Sequence, residues 1–392
     1  MSGSPAAAGS VPAERYAQRI ARAQAEASEQ GVAALLIGVG SDLRWLTGYA
    51  AMPLKRLTML VVPAKGEATM VAPRLEILAA RASTAVGAGL VKLASWEETD
   101  DPIQLVAQQP AVRVAAERGG RLLVSDRLAA AFLLPLSERV APARLGLATE
   151  VLGRLRAVKD ADEVGLLRRA AQAADRVVAG ILGGRLVGRN ESDVAREVRT
   201  RLEDEGHSEA AFWIVASGPN SASPHHDAGD RVIAAGEPIV LDIGGRIEGY
   251  GSDITRTIWV TGGHAEGGPD DTYRGLFAAL QEAQEQASRG AVAGASAQDV
   301  DGIARRIISN AGYGQDFIHR TGHGIGLDGH EDPYLVAGNE QLLRPGNAFS
   351  VEPGIYLEGR YGARIEDIVV CTEGAPDVLN QAPRALAVVS GA

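Results

Sequence analysis

The stretch EPIVLDIGGRIEGYGSDITRTIWV (237–260) constrains this chain more than any other. It reads as two strands joined by a glycine-containing turn, a hairpin. Each strand carries an acid where a buried strand ordinarily has none: Asp242 in VLDIGG and Asp253 in GSDITRT. Asp is disfavoured in strands, and burying one without a partner is costly. Taken alone, Asp242 is equally a solvent-edge residue or a ligand. Three further residues move the balance to a ligand: His323 opens HGIGLDGH, Glu352 lies in SVEPGIY, and Glu366 lies in ARIED. Four carboxylates and one imidazole make a hard, oxygen-rich set. Such a set suits manganese or cobalt at least as well as zinc, and it excludes a thiolate-type structural zinc site. Carboxylates bridge, so these five side chains can hold two divalent ions and activate a water between them.

These words, in the order Asp, Asp, His, Glu, Glu, resemble the metallopeptidases of the methionine aminopeptidase and proline dipeptidase superfamily, the pita-bread fold. The chain before residue 150 adds a match to the proline-specific branch (Xaa-Pro dipeptidase or prolidase, Xaa-Pro aminopeptidase, creatinase), which carries an amino-terminal domain. LRWLTGY at 43–49 is similar to an early strand-loop of that domain, and RAVKDADEVGLLRRAAQAAD at 156–175 to the entry helix of the catalytic domain. The resemblance implies an α/β (α+β) chain. A creatinase/prolidase-like α/β domain would occupy 1–155. A pita-bread catalytic domain, with a curved, mostly antiparallel sheet covered by helices, would occupy 156–392.

The same resemblance assigns roles. Asp242 would bind one ion only, Asp253 and Glu366 would bridge, and His323 and Glu352 would bind the other ion. Glu352 is also the candidate general base, with a plain ligand role as the alternative. His319 and His330 flank His323 at spacings of four and seven in a chain with seven histidines, and His225 lies in SASPHH. By resemblance, His225 and His330 would hydrogen-bond the scissile carbonyl and the tetrahedral intermediate, and His319 would line the substrate side of the cleft. His226 either substitutes for its neighbour or points elsewhere. Arg364 shares a strand face with Glu366. It is either an ion-pair partner of a site carboxylate or a clamp on the substrate. Thr255 is a candidate hydrogen-bond donor to a ligand. His207 and His264 are assigned no role.

The rest of the chain bounds the function. A net charge of −10 argues against a polyanion binder, so no nucleic acid is expected. The single cysteine, Cys371 in DIVVCTE, excludes an internal disulfide and reads as a buried strand thiol. MSGSPAAAGSVPAERY lacks a basic start and an apolar core, which makes it a floppy tail and not a signal peptide. No apolar run reaches the roughly 20 residues that span a bilayer. A soluble cytoplasmic protein with no membrane partner is the expectation. There is no G-x-S-x-G elbow for a covalent nucleophile. The glycine words HGIGLDG and DIGG lack a phosphate-loop context and instead suggest close backbone approach.

Local patterns place a helix at 13–30 ended by Gly31, strands at 32–38, 57–63 and 121–125, and a helix at 127–140. A long helix is expected at 160–183, and two more at 270–289 and 297–312, with Ser296 and Asp299 at an N-cap. NAFSVEPGIY and ARIEDIVVCTE read as two strands carrying Glu352 and Glu366. The activity implied by the resemblance is hydrolysis of the Xaa-Pro bond in dipeptides by a metal-activated bridging water. Manganese is the expected metal, with cobalt or zinc as alternatives. The competing activities are an Xaa-Pro aminopeptidase on longer peptides and a non-peptide C–N hydrolase of the ectoine-derivative type. A catalytically silent peptide-binding module comes last, because such relatives lose ligands. A homodimer is implied too, with Trp45, Tyr49 and Arg56 near the partner's active site.

Overall fold

The computed structural model describes residues 11–392. The tail reading of the first ten residues therefore lies outside the described residues. The chain divides into two compact units, one ending at Arg156 and one starting at Ala157.

The first unit is built on a six-stranded mixed sheet. Its strands are β1 (Val32–Gly38), β2 (Met59–Pro63), β3 (Ala68–Pro73), β4 (Val91–Trp96), β5 (Arg121–Val124) and β6 (Arg144–Leu147), in the order β4-β3-β2-β1-β5-β6. β2 runs antiparallel to both its neighbours, and the other pairings are parallel. β1 is VAALLIG, almost continuously apolar, as a strand covered on both faces must be. Ala13–Glu29 is helical because Tyr16, Ile20, Ala23 and Ala27 recur at helical spacing on one buried face. It stops at Gly31, whose φ of 67° only glycine adopts without strain.

LRWLTGY is not a strand-loop but most of a helix, Ser41–Thr47, closed by Gly48 in the left-handed conformation. Leu43, Leu46 and Thr47 lie three and four apart and are fully buried, so a helix buries this run better than a strand. Trp45 is 2% exposed, with the Arg19 guanidinium over its ring, and Tyr49 is also buried. Arg56 lies nearer the surface, in an ion pair with Glu98.

The second unit opens with the helix Ala161–Leu182. Asp160 and Glu163 cap it reciprocally, and Leu166, Ala170, Ala174, Val177 and Ile181 fill its buried face. A first sheet follows, from β7 (Glu209–Ser217), β8 (Glu237–Ile247), β9 (Tyr250–Gly251) and β10 (Ile254–Val260). A second contains β11 (Gly322–Gly324), β12 (Glu331–Leu335), β13 (Ala348–Val351), β16 (Asp367–Val370) and β17 (Asp377–Val378). β14 (Gly354–Leu357) and β15 (Tyr361–Arg364) form a separate ribbon, and β18 (Ala387–Val389) joins β10 in the only parallel pairing described in this unit. Helices Asp271–Gly290 and Ala297–Asn310 cover the second sheet, with Leu280, Val300, Phe349 and Val369 in one core. The second helix carries the expected Ser296–Asp299 capping box.

The strands of this unit fall into two five-stranded sheets and the two-stranded ribbon, and the isolated bridge Thr255–Glu366 ties the first sheet to the second. The two strands expected to carry Glu352 and Glu366 are four, and the acids sit in the breaks. Ser252 and Asp253 separate β9 from β10, Glu352 and Pro353 separate β13 from β14, and Ile365 and Glu366 separate β15 from β16. Regular strands send alternate side chains to opposite faces. Interrupting them turns these carboxylates toward one point, and Pro353, without an N–H, cannot continue a ladder.

Candidate active site

Asp242 is the one candidate acid inside a regular strand, opposite Thr255 of β10. Around it the other four converge. Ligand atoms of Asp253, His323 and Glu366 all lie within 4.8 Å of one another. His323 Nε2 is 3.2 Å from Glu352 Oε1 and 3.6 Å from Asp253 Oδ2. All five residues line one cavity of about 900 Å³.

Electrostatics there are unfavourable to charge unless a cation is supplied. Burial, then the charges of Asp242 and Glu352, hold the Asp253 carboxyl well above its usual range. Burial and the same neighbours, together with Asp253, do so for Glu366. Burial pushes Glu352 up to about 7. His323 is pushed down to about 3 by burial and by His330 beside it. Its close contacts with Asp253 and Glu352 are therefore not ion pairs at neutral pH. The Nδ1–H donates to the Gly324 carbonyl at 3.1 Å, which fixes the tautomer and turns the Nε2 lone pair toward the carboxylates. Asp242 Oδ1 is buried with no hydrogen-bond partner. A buried orphan oxygen, crowded acids and an aimed imidazole lone pair together fit divalent cations.

The surrounding side chains hold these groups in place. Thr255 Oγ1 donates to Glu366 Oε2 at 2.7 Å. Ser350 Oγ donates to Glu352 Oε1 at 3.1 Å and accepts from the His323 N–H. Arg256 donates to the Glu366 carbonyl and to the fully buried Asp367, which also accepts from Gln284. The glycine words allow contact between backbones. A Cβ on Gly322 would lie 1.9 Å from the Ser350 carbonyl oxygen, and one on Gly244 2.3 Å from that of Ser252.

The histidines divide. His225 is exposed in the cavity wall, whereas His226 Nε2 bonds Glu191 at 2.8 Å. Glu191 is fully buried and also accepts from Ser217 and Asn220, so His226 anchors the loop that carries His225. His330 stacks on His323 with centroids 3.7 Å apart. His319 donates from Nδ1 to the Arg320 carbonyl at 2.7 Å, so its Nε2 accepts from the Tyr356 hydroxyl at 2.8 Å. Burial, then Arg364, pushes His319 down to about 4. His207 is buried between the Leu202 carbonyl and Ser252 Oγ, away from the cavity lining. Arg364 is buried and reaches Asp242 at 2.5 Å, Tyr356 at 2.7 Å, Thr255 at 3.1 Å and the Pro224 carbonyl at 3.3 Å.

Three residues at this site were not found from sequence: Ser350, Tyr356 and Arg320. The first two stand two before and four after Glu352, at the even spacing that shares a strand face, and that was the available signal. Arg320 lies beside His319 in the HRTGH word, where only its cavity position marks it.

A mixed-sheet amino-terminal unit followed by a two-sheet unit with a buried carboxylate–imidazole centre defines a metal-dependent hydrolase. Residues 165–373 match Metallopeptidase family M24, and residues 19–158 match the Creatinase/Prolidase N-terminal domain. The chain belongs to this metallopeptidase family, in its pita-bread prolidase branch. It is 44% identical over 381 residues to the "Probable dipeptidase PepE" of Mycobacterium tuberculosis, a match covering 96% of this chain and 97% of that protein. It is 31% identical to the "Xaa-Pro dipeptidase" of Pyrococcus horikoshii, over 91% of this chain and 95% of that one. The crystal structure of dipeptidase PepE from Mycobacterium ulcerans superposes with a TM-score of 0.90 at 44% identity, over 97% of this chain and 100% of that one. Among the described residues, no helix is long and apolar enough to cross a membrane.

Proposed function

We propose that this metallopeptidase is a dinuclear exopeptidase that hydrolyses the Xaa-Pro bond of dipeptides. The observation that carries the proposal is the convergence of Asp242, Asp253, His323, Glu352 and Glu366 on one cavity, with Asp242 Oδ1 buried and unpartnered. In this reading Asp242 would hold one ion, His323 and Glu352 would hold the other, and Asp253 and Glu366 would serve both. Two bound cations supply a polarised carbonyl and a water acidic enough to be deprotonated near neutral pH. Glu352 accepts that proton, while the Ser350 hydroxyl holds its Oε1 in position. His225 and His330 face the scissile carbonyl and steady the oxygen as negative charge develops there. Phe212, Ile214 and Ile318 give the cavity an apolar wall that suits a pyrrolidine ring.

Support for the dipeptide and proline preference comes from the Mycobacterium and Pyrococcus relatives. Manganese fits the hard donor set. The same reading carries a cytoplasmic homodimer, as in the proline-specific branch. A second reading, an Xaa-Pro aminopeptidase, is favoured by the cavity's size: about 900 Å³ lies at the upper end for small-ligand sites. The deciding experiment compares Ala-Pro, Ala-Ala and Ala-Pro-Ala with chelator-stripped protein, with and without manganese. Manganese-restored cleavage of Ala-Pro alone supports the dipeptidase. Cleavage of Ala-Pro-Ala moves the function to the aminopeptidase. No cleavage with two ions bound rejects both.

A further inference from the structure

His225 is the one histidine of the cavity whose own ring makes no hydrogen bond among the described residues. Its place in the wall is therefore set by the residues on either side of it. On one side the Pro224 carbonyl accepts from Arg364 Nη2 at 3.3 Å, and the same guanidinium holds Asp242. On the other side His226 donates from Nε2 to Glu191 Oε2 at 2.8 Å. Two adjacent imidazoles compete for one position, and this contact commits His226 to Glu191.

Glu191 is well placed to hold it. It is the first residue of the helix Glu191–Asp204, where the helix dipole favours an anion. Its Oε1 accepts the Ser217 N–H and hydroxyl, each at 2.7 Å, and Asn220 Nδ2 lies 3.1 Å from both oxygens. Burial opposes its charge, but the Ser217, His226 and Asn220 donors together hold the carboxyl below its usual range. Glu191 thus stays an acceptor at neutral pH, and His226 keeps a proton on Nε2. The far stem of the loop returns to the same helix start. Glu191 N–H donates to the Arg231 carbonyl and Ser192 N–H to that of Gly229, both at 3.0 Å. Arg231 in turn donates to Ser217 Oγ at 2.6 Å and grips Glu237 with both Nη groups. One buried carboxylate therefore gathers three points of the loop, and His225 is not among them.

We propose that Glu191 and His226 form a positioning pair, which holds the 217–231 loop so that the imidazole of His225, and not that of His226, is presented to the substrate. The proposal rests on the exopeptidase reading for what His225 does there, but the placement of His225 is measurable without any reaction. Neither member of the pair is a catalytic residue. Their effect passes through His225, so it vanishes when His225 is removed.

The test measures kcat and KM on Ala-Pro with manganese for wild type, His226→Leu and His226→Gln, and for His225→Ala with and without His226→Leu. In parallel, ring carbon–proton NMR spectra of isotope-labelled histidines follow His225 in chelator-treated protein. His226→Leu removes the donor to Glu191. It should lower kcat by about 100-fold with KM little changed, as for a group held about 1 Å out of place in the transition state. His226→Gln sets an amide N–H near the position of the Nε2–H and should recover most of that loss. In the His225→Ala background His226→Leu should cost nothing further, because the residues act as a unit. The His225 signal should broaden in His226→Leu, as loop positions exchange, and stay sharp in wild type and His226→Gln. An equal loss in both backgrounds, no loss in either, or a sharp His225 signal in His226→Leu overturns the proposal. Should His226→Leu fail to fold, His226→Asn, whose amide stops short of Glu191, takes its place in every comparison. A wild type that cleaves nothing, with the His225 signal broadened in His226→Leu, rejects the peptidase reading and leaves the positioning role standing.

Discussion

The Arg364 guanidinium donates to Asp242 Oδ2 at 2.5 Å, and both side chains are buried. Among the described residues, Arg364 is the one arginine or lysine in an ion pair with any of the four carboxylates. Removing one partner of a buried pair costs about 3–5 kcal/mol, because the other is left charged or must take a proton. Arg364→Met should therefore lose about that much stability in chelator-treated protein. Manganese should recover a substantial part of the loss, since bound cations replace the missing positive charge. Urea denaturation with and without metal measures both. Equal losses in the two conditions would show that Arg364 acts through packing and not through charge.

Metal-free protein should also respond to pH in an unusual direction. Asp253, Glu352 and Glu366 titrate above their ordinary range through burial, Glu352 near 7. Groups whose folded pKa is raised contribute stability at low pH and lose it as pH rises through the folded value. His319, His323 and His330 are depressed by burial, so their contribution is present above about 6.5 and is lost on acidification below it. Between pH 8 and 7 the raised carboxylates dominate, because the histidines, His207 among them, hold few protons even in the unfolded chain. The melting temperature of chelator-treated protein should rise over that interval, and protonation of the histidines should oppose the rise at lower pH. With manganese present it should fall instead, because protons compete with the ions for the same oxygens. A metal-free melting temperature that falls from pH 8 to 7 would contradict the crowded-carboxylate account.

What sequence reveals about such a site depends on the range over which each feature is encoded. The Asp242–Asp253 hairpin and the Ser296–Asp299 cap are local, so composition and spacing expose them. LRWLTGY departs from its strand-loop expectation because Leu, Trp, Leu and Tyr in a short run satisfy a strand pattern too. The Ser41 start and Gly48 stop, which define a seven-residue helix, are the stronger signals. How the two sheets are tied together could not be read at all. It depends on one bridge, Thr255 to Glu366, between residues more than a hundred positions apart. Ser350 and Tyr356 are ordinary strand residues until the breaks around Glu352 aim their hydroxyls at Glu352 and at His319.

Ser350 tests how far those supporting hydroxyls matter. It links the His323 N–H to Glu352 Oε1 and is fully buried. Ser350→Ala removes the donor to Glu352 but keeps the backbone. Loss of such a supporting bond typically weakens metal affinity or activity by about 10- to 100-fold. Competition against a metallochromic chelator should show manganese affinity falling within that range while the fold is retained. Unchanged affinity would place Glu352's orientation under the control of its backbone alone, through the Glu352 N–H to Thr321 carbonyl bond at 2.7 Å.

The tightest sequence requirement near the centre is a glycine and not a ligand. Gly322 lies on β11 beside β13, and a Cβ there would fall 1.9 Å from the Ser350 carbonyl oxygen. That neighbour is backbone, and the strand is fully buried, so it cannot step aside without moving β13 and with it Ser350 and Glu352. Gly322→Ala should destabilise the protein by about 1–3 kcal/mol, the range for overpacking a well-filled interior. Because β13 must shift, metal affinity should fall further than in Ser350→Ala. Gly329→Ala is the matched control, since a Cβ there meets nothing within 4 Å. Thermal melts and metal titrations on the two variants should therefore diverge. If Gly322→Ala melts and binds like Gly329→Ala, the close approach of β11 and β13 is not what fixes the centre.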